Sequence, residues 1–144
     1  MISARVPVSV PPRPSLRAPQ GTGGLILIVE DDVTTATILR QLLETDGFEV
    51  TVVNDGVEAL LAIDHRKPDA IVTDVCMPGG DGRSLLRVMK QRCPEVPVIV
   101  MSAEDQSPTD FLREGAHAFL TKPFHIDDAV SIIDAALQLA STPR

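Results

Sequence analysis

The chain has no tryptophan and no tyrosine, and phenylalanine occurs only four times in 144 residues. Proteins that hold single-stranded nucleic acid stack its bases on exposed rings, so this shortage argues against an aromatic-lined groove. Positive charge is short as well. Thirteen basic residues against 20 acidic ones leave a net charge of −7, the wrong sign for direct nucleic-acid binding. Cysteine appears twice, as Cys76 and Cys93, too few for a disulfide framework, and this predicts a reduced, cytoplasmic protein. No apolar run approaches the roughly 20 residues needed to span a bilayer, so no membrane partner is expected. The stretch "VPVSVPP" (6–12) is too short and too broken by proline for a secretion signal.

What is present is unevenly spread. Residues 1–24 carry Arg5, Arg13 and Arg17, no acid, five of the twelve prolines and a "GTGG" run. Few of these residues could bury anything, so the segment is read as a disordered tail. A linker, a docking peptide and an extension without function are all open readings, and composition favours the last. Residues 25–144 hold the other 10 basic groups and all 20 acids, a balance of −10. With 44% apolar and 23% charged residues overall, residues 25–141 are expected to form one soluble domain with a full core.

From Leu25 five short apolar runs follow one another: "LILIV" (25–29), "EVTVV" (49–53), "AIVT" (70–73), "VPVIVM" (96–101) and "HAFLT" (117–121). Most are continuous rather than alternating, as in strands buried on both faces of a parallel sheet. The intervening segments have helical spacing. Their stripes are Ile38, Leu39, Leu42 and Leu43; Val57, Leu60, Leu61, Ala62 and Ile63; Leu85, Leu86, Val88 and Met89; and Val130, Ile132, Ile133, Ala136, Leu137 and Ala140. "DG" at 46–47, Pro68, Pro94 and "EGA" at 114–116 read as helix stops. Asp32, Asp55, and Asp81 or Ser84 read as caps. Five alternations of strand and helix predict an α/β fold with a parallel sheet covered on both faces. Function is then expected at the carboxyl ends of the strands.

Those ends carry a consistent chemistry. The first run leads into Glu30, Asp31 and Asp32, the third into Asp74, the fourth into Ser102, and the fifth into Thr121, Lys122 and Pro123. Carboxylates gathered from separate strands repel one another unless a cation sits among them. Oxygen ligands without histidine or thiolate partners suit Mg²⁺ or a close relative such as Mn²⁺. Glu30 and Asp31 therefore read as a half-built metal site that Asp74 completes, with Asp32 better read as the cap of the first helix. Lys122 offers a fixed ammonium and Ser102 a hydroxyl, both suited to phosphoryl oxygens. A carboxylate is itself a nucleophile able to take a phosphoryl group as an acyl phosphate. His65, His117 and His125 lack metal-ligand spacing, and Cys93 reads as an inert thiol near the end of the third helix. "PGGDG" (78–82) lacks the GxxxxGK[ST] pattern and reads as a turn into a helix.

Taken together, "LILIVEDD", "IVTDVCMPGGDG", "PVIVMSA" and "GAHAFLTKPF" resemble the receiver domain of bacterial two-component response regulators. The resemblance covers about residues 25–140 and implies a flavodoxin-like (βα)₅ sheet with strand order 2-1-3-4-5. It implies that Asp74 is the phosphoacceptor and that Ser102 and Lys122 contact the phosphoryl group. Asp31 and Asp74 would bind Mg²⁺, with the Cys76 backbone carbonyl, and Glu30 would help through water. Ser102 and Phe119 would form a switch that reshapes the face of helix four, strand five and helix five. The Lys122–Pro123 bond is expected to be cis. Cys76 and Glu104 occupy the positions that tune dephosphorylation, and Cys76 is an unusual occupant there. The segment from Ser102 to Lys122 is shorter than the family pattern and contains Pro108, so a short fourth helix is expected.

The partners implied are a sensor histidine kinase or phosphotransfer protein that docks on helix one, and a downstream protein or an output domain not visible here. A homodimer through helix four, strand five and helix five is a further expectation. The expected output is a conformational change rather than turnover of a substrate. Two alternatives stand beside this reading. One is a degenerate receiver that binds a partner without phosphorylation. The other is an aspartyl-phosphate phosphatase, disfavoured because Cys76 stands where its second aspartate belongs.

Overall fold

The computed structural model describes residues 24–75, 82–103 and 108–141. Strand and helix alternate throughout: β1 (Leu25–Val29), α1 (Val33–Thr45), β2 (Glu49–Val53), α2 (Gly56–His65), β3 (Ala70–Asp74), α3 (Gly82–Arg92), β4 (Val98–Ala103), α4 (Pro108–Arg113), β5 (Ala118–Lys122) and α5 (Ile126–Ser141). The five strands form one sheet in the order β2-β1-β3-β4-β5, and every pairing is parallel. This is the flavodoxin-like doubly wound arrangement that the resemblance implied.

The continuous apolar runs belong to the inner strands. β1 and β3 are buried at every position, whereas β2 and β5, at the two edges, alternate with exposed or half-buried residues. Alternate residues of each strand point to opposite faces, and each face has its own core. Ile26, Ile28, Val72, Ile99 and Met101 pack with Leu39 and Leu43 of α1 and Ile133 and Ala136 of α5. Leu27, Val29, Ile71, Val98 and Val100 pack with Ala59 and Ile63 of α2, Leu86 and Met89 of α3, and Phe111 of α4.

The helix ends follow from local chemistry. Asp32 caps α1 by accepting from the Thr35 amide, and Asp55 caps α2 by accepting from the Glu58 amide. Each cap satisfies an amide that the helix itself cannot. Both α1 and α4 stop on a left-handed glycine, Gly47 at φ 96° and Gly115 at φ 112°. The two closures share one pattern. Phe48 N donates to Leu43 O at 3.0 Å and Gly47 N to Glu44 O at 3.1 Å; Ala116 N donates to Phe111 O at 3.0 Å and Gly115 N to Leu112 O at 3.1 Å. These paired bonds satisfy carbonyls the helix leaves open, and the turn needs a residue that tolerates positive φ.

Some sequence expectations shift. β4 begins at Val98 rather than at residue 96, since Pro97 has no amide to donate, although its carbonyl accepts from Ile71 N at 3.0 Å. β3 and β5 each run one residue further than expected, to Asp74 and Lys122. Val57 and Leu61, expected in the apolar stripe of α2, are 60% and 65% exposed; Ile63 is buried as expected, and Gly56 and Ala59 complete the inner face. Ser84 lies inside α3 and does not cap it; Asp81 lies outside the described residues. α4 has six residues, as short as its proline and spacing suggested.

Candidate functional site at the carboxyl edge of the sheet

The site is assembled by register. Val29 pairs with Thr73, so Glu30 and Asp74 each stand one step beyond a paired couple. Asp74 pairs with Met101, Ser102 with Thr121, and the backbone of Ala103 with that of Lys122. Glu30, Asp74 and Lys122 fall on the same strand parity as Ile28, Val72 and Leu120, which are core residues of the α1/α5 face. The apolar pattern thus continues to the last buried turn of each strand and is replaced by charge where the sheet edge opens. That is why an unbroken apolar run ends in acids.

Residues 92 positions apart meet here. Lys122 Nζ donates to Glu30 Oε1 at 2.8 Å and to Asp74 Oδ2 at 3.1 Å. Glu30 is 1% exposed, Asp74 9% and Ser102 1%, while Asp31 is exposed. One carboxylate oxygen from each of Glu30, Asp31 and Asp74 can be chosen so that all lie within 4.8 Å of one another. Such an all-oxygen set, with one member facing solvent, fits a hard divalent cation that keeps several of its waters. Among the described residues it is the one group of acidic, histidine or cysteine side chains with that geometry.

The electrostatics match the crowding. Burial raises the pKa of Glu30 above its ordinary value, and the negative charge of Asp74 adds to this. The Lys122 ammonium and the Asp32 amide oppose the rise without cancelling it. Burial alone would lower the pKa of Lys122, but its bonds to Glu30 and Asp74 outweigh that and hold it above the usual lysine value. Asp32 moves the other way, its pKa lowered by the Thr35 hydroxyl and amide. It is engaged as a cap, as its sequence position suggested, and its amide donates to Glu30 Oε2 at 3.1 Å.

Ser102 supplies an independent sign. Its hydroxyl is buried and, among the described residues, has no hydrogen-bond partner. A buried hydroxyl without a partner costs free energy. The Lys122–Pro123 bond is cis, as expected. Phe119 is half-buried and stacks on Phe111 of α4, with ring centroids 5.4 Å apart. The sequence reading missed Phe111. Its helix is too short to show a period, and the available signal was the rarity of aromatic residues in the chain. Cys76 and Glu104, expected to line or tune the site, lie outside the described residues.

An α/β sheet of this order, with acids, a hydroxyl and a lysine gathered at its carboxyl edge, defines a flavodoxin-like class of domain. The comparisons with known proteins specify it. A model of the response regulator receiver domain matches residues 26–134, and the chain belongs to that family. The DNA-binding transcriptional regulator NtrC of Escherichia coli K12 is 36% identical over 116 residues, which cover 79% of this chain and 25% of NtrC. Response regulator MprA of Mycobacterium sp. strain KMS is 36% identical over 118 residues, 81% of this chain and 51% of MprA. The chain therefore spans about a quarter of the one and half of the other. Among solved structures, the Francisella response regulator 1452 receiver domain superposes with a TM-score of 0.77 at 33% identity, covering 82% of this chain and 99% of that one. The receiver domain of NtrX from Brucella abortus gives 0.75 at 32% identity, covering 78% and 98%. Among the described residues no helix is long and apolar enough to cross a membrane.

Proposed function

We propose that this receiver domain accepts a phosphoryl group on Asp74 from a histidine kinase or phosphotransfer protein in a reaction that requires Mg²⁺ or Mn²⁺. The observation that carries this is the Lys122 ammonium bound between Glu30 and Asp74, at the same sheet edge as the Ser102 hydroxyl, which is buried and has no hydrogen-bond partner among the described residues. A carboxylate oxygen of Asp74 attacks phosphorus, the P–N bond to the donor imidazole breaks, and the ring nitrogen keeps the electron pair. The product is an acyl phosphate on Asp74. The Lys122 ammonium, already 3.1 Å from Asp74, pairs with one phosphoryl oxygen and the Ser102 hydroxyl donates to another. Asp31, Asp74 and Glu30 would hold a divalent cation, which would supply charge neutralisation and alignment.

The chain's part is positioning, so its output is a change of shape rather than turnover of an external substrate. NtrC is named as DNA-binding; in this chain a net charge of −7 directs any such output to another segment or partner protein. A cytoplasmic setting follows from the same reading. Neither alternative gains support: the acid, hydroxyl and lysine set is intact, and the position two after Asp74 is a cysteine. Incubation with acetyl phosphate and Mg²⁺ followed by intact mass tests the proposal. One phosphoryl adduct, absent without Mg²⁺ and in Asp74→Ala, supports it; no adduct on the folded protein with either acetyl phosphate or a phosphorylated histidine donor overturns it.

A further inference from the structure

Between α1 and the β5–α5 turn runs a groove of about 430 Å³ lined by Thr35, Ile38, Leu39, Lys122, Pro123 and Phe124. Its walls are mostly apolar, and Ile38 in it is 39% exposed. Lys122 brings little free charge, because its ammonium is engaged by Glu30 and Asp74. Acids flank the groove instead. Asp31 and Asp32 precede Thr35 at the start of α1, and Asp127 and Asp128 follow Phe124 at the start of α5; all four are exposed.

The sequence contains a segment with the complementary pattern. "VPVSVPP" (6–12) is apolar and uncharged, and it is bracketed by Arg5 and Arg13. Residues 1–24 hold three arginines and no acid, against a balance of −10 over residues 25–144. Pro7, Pro11 and Pro12 restrict the backbone before any contact forms, which lowers the entropy lost on docking. The reach is sufficient. The 13 residues of α1 measure about 20 Å from one edge of the sheet to the other. Residues 13–23, which join the segment to Gly24 at the opposite edge, extend to roughly 35 Å.

We propose that residues 6–12 dock into this groove within the same chain, with Arg5 and Arg13 facing the acids on either side of it. The tail then covers the surface beside Lys122, and any protein that approaches the site along α1 must displace it. The docking rests on the groove and the charge pattern and does not require that Asp74 be phosphorylated.

The test uses the full chain, ¹⁵N-labelled, with a nitroxide on Ser9→Cys in a Cys76→Ser, Cys93→Ser background. Docking predicts selective loss of amide intensity at Thr35, Ile38, Leu39 and Phe124. The loss is relieved by Arg5→Glu with Arg13→Glu, by Ile38→Glu, and by raised salt. It is absent when ¹⁵N chains without nitroxide are mixed with unlabelled nitroxide chains. No loss at the groove, or an even loss over the surface, overturns the proposal. Loss that persists in the mixed sample overturns it in favour of contact between two copies. Should the cysteine-free background not fold, Arg5→Glu with Arg13→Glu in the native-cysteine chain must shift the same four amides. Unchanged amides overturn the proposal.

Discussion

Lys122 Nζ lies 2.8 Å from Glu30 and 3.1 Å from Asp74, so one cation from the last strand holds together acids from the first and third. Removing it takes from two largely buried carboxylates the positive charge that they share. Lys122→Ala is therefore expected to cost about 2–4 kcal/mol in urea unfolding without divalent ions. Added Mg²⁺ is expected to stabilise this variant more than the wild type, because the ion then supplies the missing positive charge. Equal stabilisation of both proteins by Mg²⁺ would show that Lys122 and the ion do not share one site.

Ser102 is expected to behave in the opposite way. Its buried hydroxyl has no partner among the described residues, so Ser102→Ala removes a polar group that gains nothing in the unphosphorylated protein. Its melting temperature should stay the same or rise, while phosphoryl uptake from acetyl phosphate slows. A clear loss of stability in Ser102→Ala would mean that the hydroxyl is already satisfied.

Phe111 is fully buried, while Thr109, Asp110, Leu112 and Arg113 of α4 are exposed. A helix of six residues has little stability of its own, so packing of this ring against Phe119 holds it in place. Phe111→Ala should cost about 3–5 kcal/mol. Hydrogen exchange should show α4 losing protection before the central strands do. Retention of α4 protection in this variant would place the anchor elsewhere.

Two exposed ion pairs each lower the pKa of their carboxylate partner. The bond from Arg66 holds Glu49 below its ordinary value of 4.5, and the bond from Lys67 does the same for Glu95. For a depressed carboxylate, the stabilising contribution is present above the unfolded value and is lost as pH falls through the folded one. In a ¹³C carboxyl titration, Arg66→Gln should move the Glu49 midpoint up towards 4.5. Stability at neutral pH should barely change, since both partners face water. A Glu49 midpoint that does not move would remove the ion pair as the cause.

The fold was legible because each strand carries its burial in its composition. "LILIV" and "EVTVV" coincide with β1 and β2 to the residue. The strand-end acids, Ser102 and Lys122 were legible for the same reason, since parallel strands bring their carboxyl ends to one edge. What the sequence hid was relational. Val57 and Leu61 have helical spacing with Leu60 yet face solvent, because the inner face of α2 is set by the small residues Gly56 and Ala59 that let it approach the sheet. Pro97 displaced the start of β4 through its missing amide. The Phe111–Phe119 stack joins two elements whose contact no local pattern encodes. Glu30 could be read as a ligand, but its bond to Lys122 depends on side-chain reach that spacing alone does not give.

Chemical trapping shows directly whether Asp74 carries the phosphoryl group. After incubation with acetyl phosphate and Mg²⁺, borohydride reduces an aspartyl phosphate to homoserine, and peptide mass spectrometry locates the change. Homoserine is expected at position 74 alone, and none when Mg²⁺ is withheld. Reduction at Asp31 or Asp32, or a phosphoryl adduct that survives borohydride, would contradict it.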